Sequence, residues 1–144
     1  MSTTIETERL ILIPGDPIVL QAVFQGDQII RELLGVNVLE KWTEFGEPVF
    51  RYSYQKILTN PDELGWWAYL PIYRPENILV GSCGYKGHPD AAGIVEIGYE
   101  VAEAYRNRGL ATEMAQALVK RAWQHPGVYF VQAHTLAQET CLLP

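Results

Sequence analysis

The chain is poor in cysteine, short of basic charge and without any long apolar run. Its 144 residues include two cysteines, Cys83 and Cys141, too few for a disulfide framework or a thiolate metal site. A reducing, cytoplasmic compartment is the expectation. No apolar stretch approaches the roughly 18 residues a membrane helix needs, so no membrane partner is expected. The N-terminus, Met1-Ser2-Thr3-Thr4-Ile5-Glu6, has neither the basic start nor the apolar core of a signal peptide. Lys and Arg number 11 against 17 Asp and Glu, leaving a formal net charge of −6 and a pI near 5.0. That balance argues against nucleic acid, which calls for a basic face. It leans toward a cationic partner, although on composition alone a solvated acidic surface is the favoured explanation. There is no Gly-Lys-Ser/Thr phosphate loop and no strand-linked Gly-x-Gly-x-x-Gly, which sets aside nucleotide P-loop and dinucleotide folds. No repeat, low-complexity tract or linker divides the chain, so residues 1–144 read as one domain.

What is present changes period along the chain. "ERLILIP" (Glu8–Pro14) reads as a strand stopped by Pro14-Gly15. Asp16 and Pro17 suit the cap and first position of a helix over "DPIVLQAVFQ". Asp27 is the expected cap, and Gly35 the stop, of a second helix, "DQIIRELLG". A third begins near Pro48 and ends before Pro61. Then "GWWAYLPIYR" (Gly65–Arg74), "NILVGSCGYKG" (Asn77–Gly87) and "GIVEIGYEV" (Gly93–Val101) read as an antiparallel meander. In the helix that follows, Leu110, Met114, Leu118 and Ala122 share one face. "VYFVQAHT" (Val128–Thr135) reads as a buried strand parallel to the one before that helix. The fold class is α/β (α+β): a mixed sheet, with an antiparallel meander, a central parallel strand pair and flanking helices.

The chemistry concentrates between strand and helix, in Arg106-Asn107-Arg108-Gly109-Leu110-Ala111-Thr112. The first N–H groups of a helix have no intrahelical acceptor, and the helix dipole makes that end positive. Gly109 lets backbone approach a ligand, and Arg106 and Arg108 bring forked donors suited to phosphate oxygens. As a bare string, Arg-x-x-Gly-x-Ala also fits a solvated turn; its place between a strand and a helix favours a phosphate cradle.

That loop resembles the acyl-CoA pyrophosphate loop of the GNAT superfamily of N-acetyltransferases. "TERLIL" (Thr7–Leu12) resembles the opening strand of its ribosomal-protein-type branch. "EIGYEVAEAYRNRGLATEMAQALVKRAW" (Glu96–Trp123) resembles the central motif of that branch, and "AHTLAQE" (Ala133–Glu139) the strand and turn after it. The resemblance implies acetyl transfer from acetyl-CoA to a primary amine by direct attack in a ternary complex, with no metal. The amine would belong to a protein N-terminus or a small molecule. It implies a pantetheine arm entering between two splayed parallel strands and meeting Val101, with the pyrophosphate on residues 106–112.

An amine must be neutral to attack, so a base helps at pH 7. Glu96 and Glu100 lie four apart on one strand and share a face. Glu96 best matches the carboxylate that the family often places there. An exposed strand position is the alternative for both. Trp66, Trp67, Tyr69 and Tyr73 could line an acceptor pocket, although strand aromatics are more often core. Cys83 reads as a small buried residue and His134 as a hydrogen-bonded core histidine. His88 and His125 lie in turn-like contexts and suggest no role. Tyr99 should face away from the two carboxylates unless a bulge re-aims it.

The tail departs from the resemblance. In relatives a helix and two more strands follow the strand matching "VQAHT", and Thr140-Cys141-Leu142-Leu143-Pro144 does not resemble that helix. The expectation is a domain incomplete at its C-terminus, with the last strands missing, as a single-base frameshift would leave it. Its last apolar strand would then be an unpaired edge inviting a second copy, a homodimer. Two readings stay beside the enzyme: a non-catalytic acyl-CoA-binding module or truncated pseudoenzyme, and an interaction protein with a solvated Arg-rich turn.

Overall fold

The computed structural model describes residues 4–134 and 139–142. Alternation of side chains along the strands explains its layering. In β2 (Leu10–Pro14), Leu10 and Leu12 face one way, and Ile11 and Ile13 the other. In β4 (Ala68–Tyr73), Tyr69 faces with Leu10 and Leu12, while Ala68, Leu70 and Ile72 face with Ile11 and Ile13. One sheet therefore buries two apolar faces. One core lies under α4 (Leu110–Trp123). The other lies under α1 (Pro17–Gln25), α2 (Asp27–Leu34) and α3 (Gly46–Thr59).

The helices begin and end where local chemistry directs, with one correction. Asp16 caps α1, accepting from the Val19 N–H at 2.8 Å, and Pro17 opens it. Gly35, at φ 66°, ends α2 in the left-handed region. Asp27 is not the cap expected of it. Gly26 takes that place at φ 122°, and the Asp27 carboxylate instead accepts from the Trp42 indole at 3.1 Å. The four residues expected on one face of α4 are all at most 1% exposed.

The sheet runs β1 (Ile5–Glu6), β2, β4, β6 (Gly81–Tyr85), β7 (Ile94–Val101), β8 (Phe130–His134), β9 (Glu139–Leu142). Two short strands, β3 (Asn37–Val38) and β5 (Ile78–Leu79), attach to its side. The strand expected over residues 77–87 is broken at Val80. Its two halves pair with β4 one residue out of register, as in a bulge. Along the main path every neighbour pair is antiparallel except β7 and β8, which α4 connects. The expectation of an unpaired edge after Val128–Thr135 is overturned, because β9 pairs with β8 antiparallel from His134–Glu139 to Val131–Leu142. The tail itself supplies the missing neighbour, which removes the ground for a dimer through that strand.

The parallel ladder is short. It runs from Ile94 opposite Phe130 to Ile97 opposite Ala133. Beyond it, Gly98–Val101 continue on β6 alone among the described residues. The described parallel ladder thus ends near the start of α4, at the carboxyl ends of the parallel pair, where α/β sheets hold ligands.

Candidate active site

Between β7 and α4 the backbone makes a tight 3-10 turn, Glu103–Tyr105. Asn107 and Gly109 then lie in the left-handed region, at φ 65° and 80°. No side chain caps α4, whose cap residue is Gly109. The first helical bond is that of the Glu113 N–H to the Gly109 carbonyl, at 3.1 Å. The N–H groups of Leu110, Ala111 and Thr112 are therefore left for an outside acceptor. Leu110 offers only its backbone, because its side chain is buried in the core under α4. Arg106, Asn107 and Arg108 are exposed.

Both loop arginines are braced. The Arg106 Nε donates to the Val101 carbonyl at 2.8 Å, and its Nη2 lies 3.9 Å from Glu44. The Arg108 guanidinium stacks 4.4 Å over the Tyr105 ring and stands 3.9 Å from Glu76. The Tyr105 hydroxyl donates to Glu76 at 2.5 Å; that bond and partial burial raise its pKa. A third arginine, from far away in sequence, joins them. Arg9 donates from Nε to Glu113 at 2.8 Å and from Nη1 to the Arg108 carbonyl at 2.9 Å. Its Nη2 lies 3.4 Å from where a Cβ on Gly109 would stand. Glu113 also accepts from the Thr7 hydroxyl at 2.5 Å and the Arg9 N–H at 2.9 Å. Burial works to raise the Glu113 pKa, but these hydrogen bonds outweigh it and hold the carboxyl below its ordinary value.

On the other face a cavity of about 660 Å³ opens between α3 and the strands β6 and β7. Phe45, Val49 and Phe50 form its helical wall. Its floor includes Gly84 and Gly98, which are register partners. A Cβ on Gly98 would meet nothing within 4 Å. The cavity thus exists partly because that floor carries no side chain. Glu100 lines it and also a smaller cavity of about 310 Å³ that reaches Arg106.

The two candidate carboxylates share this face, as their spacing requires. The structure gives them different surroundings. Glu100 accepts from the Thr43 hydroxyl, from Ser82 Oγ at 3.0 Å and from the N–H groups of Glu44 at 3.1 Å and Phe45 at 3.4 Å. It fastens the segment leading into α3. Glu96, 17% exposed, pairs with Lys86 Nζ at 2.5 Å. Lys86 lines the cavity and Glu96 does not. No bulge interrupts β7, whose register with β6 runs unbroken from Gly81–Val101 to Tyr85–Ile97. Tyr99 is 38% exposed.

The strand aromatics fall elsewhere. Trp66 and Tyr69 are buried, Trp67 and Tyr73 half-buried, and none lines the cavity. Trp66 lies tilted against His88, meets His125 edge to face and lies under the Arg121 guanidinium at 4.3 Å. Burial pushes the Cys83 thiol up, so it stays protonated and inert. The side chains of His134 and Cys141 lie outside the described residues. The sequence reading missed Thr7, Arg9, Glu44, Glu76 and Glu113 as neighbours of the loop. The "TERLIL" segment pointed to the first two without giving them a task.

Comparison with known proteins shows the family. Residues 20–140 match the family model described as acetyltransferase (GNAT) domain. A curated relative from Bacillus subtilis (strain 168), the uncharacterized N-acetyltransferase YjdG, is 31% identical over 121 residues, 82% of this chain and 71% of its own. A GNAT-family acetyltransferase structure from Bacillus anthracis aligns with TM-score 0.54 at 22% identity, over 90% of this chain and 72% of that one. A Salmonella typhimurium acetyl transferase that modifies the N-terminal serine of a 50S ribosomal subunit protein aligns with TM-score 0.59 at 16% identity, over 90% and 73%. RimL in complex with coenzyme A aligns with TM-score 0.59 at 18% identity, over the same shares. The structural matches are likenesses of fold.

Proposed function

The chain belongs to the acetyltransferase (GNAT) domain family and is an acyltransferase, and from that premise we propose that it moves an acetyl group from acetyl-CoA to a primary amine. One observation carries this reading. An uncapped helix start follows the carboxyl end of the parallel pair, and a cavity with a bare glycine floor lies along the same strand, β7. A pyrophosphate fits that helix start, because the backbone donors of residues 110–112 are unclaimed, Gly109 leaves room, and Arg106 and Arg108 flank it. When bound, acetyl-CoA supplies an activated thioester carbonyl.

The protein's own groups do the rest. Along β7 the backbone groups of successive residues point to opposite edges. The Glu96 carbonyl faces β6, accepting from the Lys86 N–H at 3.0 Å, and the Ala102 N–H faces β6 too, donating to Val80 at 2.8 Å. By that alternation, Tyr99 and Val101 turn their backbone groups away from β6. The Tyr99 groups and the Val101 N–H would bind the pantetheine amides, the Val101 carbonyl being held by Arg106, and an N–H there would stabilise charge developing on the carbonyl oxygen. The amine enters from the cavity at Gly98. Glu96, two residues from Gly98 on the same strand face and joined to the cavity rim through its ion pair with Lys86, takes its proton, and Glu100 holds the cavity wall in place. In this reading the acceptor is the α-amine of a protein or a small-molecule amine. The Salmonella relative's ribosomal substrate makes a protein N-terminus the first to try.

Calorimetric titration with acetyl-CoA tests the cradle. The wild type should bind, and Arg106→Ala/Arg108→Ala should bind about 100-fold more weakly, the scale of two lost charge-assisted bonds. Thiol release in the presence of an amine panel then tests the transfer. A folded wild type that ignores acetyl-CoA sinks the reading.

A further inference from the structure

A dense polar junction outside the loop itself ties the opening segment of the chain to α4. Arg9 spans it with three groups of one side chain. Nε grips Glu113, Nη1 grips the Arg108 carbonyl, and Nη2 lies beside Gly109. Its own N–H and the Thr7 hydroxyl complete the hold on Glu113. The Arg9 and Glu113 side chains are 35% and 17% exposed, so the junction is partly screened from water.

Two physical consequences follow. First, Glu113 stands in the first turn of α4. A carboxylate there favours the helix but opposes any anion arriving at the same N–H groups. The Arg9 guanidinium neutralises that charge, and its hydrogen bonds fix where the carboxylate points. Second, the Arg108 carbonyl belongs to a turn with left-handed residues on both sides of it, Asn107 and Gly109. Such a turn costs free energy and needs support from its surroundings. A guanidinium on the carbonyl between them keeps the following N–H groups aimed outward. Lysine, with one point charge, could not bridge these groups together.

We propose that Arg9 is a positioning residue of the acyl-CoA cradle: it masks Glu113 and locks the Arg106–Gly109 turn, so that the start of α4 can accept a pyrophosphate. This rests on the reading of that helix start as the pyrophosphate site. It adds a residue about a hundred positions away from the loop.

The test compares coenzyme A with pantetheine, which lacks the pyrophosphate, by calorimetry on the whole chain. In Arg9→Met the preference for coenzyme A over pantetheine should fall about 10- to 100-fold, the scale of a lost charged contact. Equal weakening of both ligands, or no change in their ratio, overturns the proposal. Glu113→Gln keeps Arg9 and removes the opposing charge, so coenzyme A should bind as tightly or more tightly. If instead it loses affinity as Arg9→Met does, the pair is a structural link only and the proposal fails; this variant decides the matter should Arg9→Met not fold. A wild type that binds no coenzyme A defeats the underlying reading as well. A wild type that binds, with Arg106→Ala/Arg108→Ala impaired and Arg9→Met unimpaired, defeats this inference alone.

Discussion

At the scale of single residues, what is missing from Gly98 matters as much as any side chain present. A Cβ there would meet no atom within 4 Å, and valine suits a strand better than glycine. Gly98→Val should therefore leave the melting temperature unchanged or higher. It should raise KM for the amine at least about tenfold, the scale on which a pocket rejects an ill-fitting group, and leave acetyl-CoA binding alone. Steady-state kinetics beside a thermal melt will show it; an unchanged KM would mean that the amine does not enter there. The sequence displayed this residue only as a glycine within a strand. The space above it depends on how far α3 stands off the sheet, which no local pattern encodes. Glu113 carries a second prediction. Its folded pKa lies below the unfolded value, so its hydrogen bonds contribute stability that is full above the unfolded carboxylate pKa. That contribution is lost as pH falls through the lower, folded one. Denaturant midpoints taken from pH 5 to pH 3 should drop more in the wild type than in Glu113→Gln. Parallel curves would refute the linkage.

Whole elements were more legible than their junctions. The start of α1, the end of α2 and the buried face of α4 follow from cues a few residues long, and each lies where those cues place it. Asp27 misled because the chain turns at Gly26 with φ 122°, a conformation set by glycine rather than by the carboxylate after it. The strand over residues 77–87 concealed a break because its apolar pattern continues across Val80 while its partners change. The tail was read against relatives and found unlike them, yet four residues of extended backbone are enough to pair with β8. Within α4, Leu118 is fully buried and its carbonyl accepts from the buried Tyr85 hydroxyl at 2.6 Å. Leu118→Ala leaves that backbone bond in place and opens a void. It should cost about 2–5 kcal/mol of unfolding free energy by urea titration. A loss below about 1 kcal/mol would show that α4 closes over the gap.

Across the whole molecule, the candidate site lies where the two cores meet. The α4 core carries the phosphate loop, and the α1–α3 core carries the cavity wall. Their link is Glu100, which reaches from β7 to the segment before α3 through Thr43, Glu44 and Phe45. Glu44 in turn stands 3.9 Å from Arg106. This connection joins residues more than fifty apart, which is why Glu100 looked in the sequence like a spare base. Glu100→Ala tests which task it has. The change frees two backbone N–H groups and the Thr43 hydroxyl, so the segment 43–46 should exchange its amide hydrogens faster. The cavity wall at Phe45 and Gly46 would then be less well placed, and KM for the amine should rise more than the Kd for acetyl-CoA. The pH profile of kcat should keep its shape, because no proton acceptor has been removed. Glu96→Gln should do the converse, lowering kcat about 100-fold at pH 7 with amide exchange in residues 43–46 unchanged. If Glu100→Ala instead abolishes the acidic limb of the profile while that segment stays protected, the two carboxylates exchange roles, and Glu100 is the base.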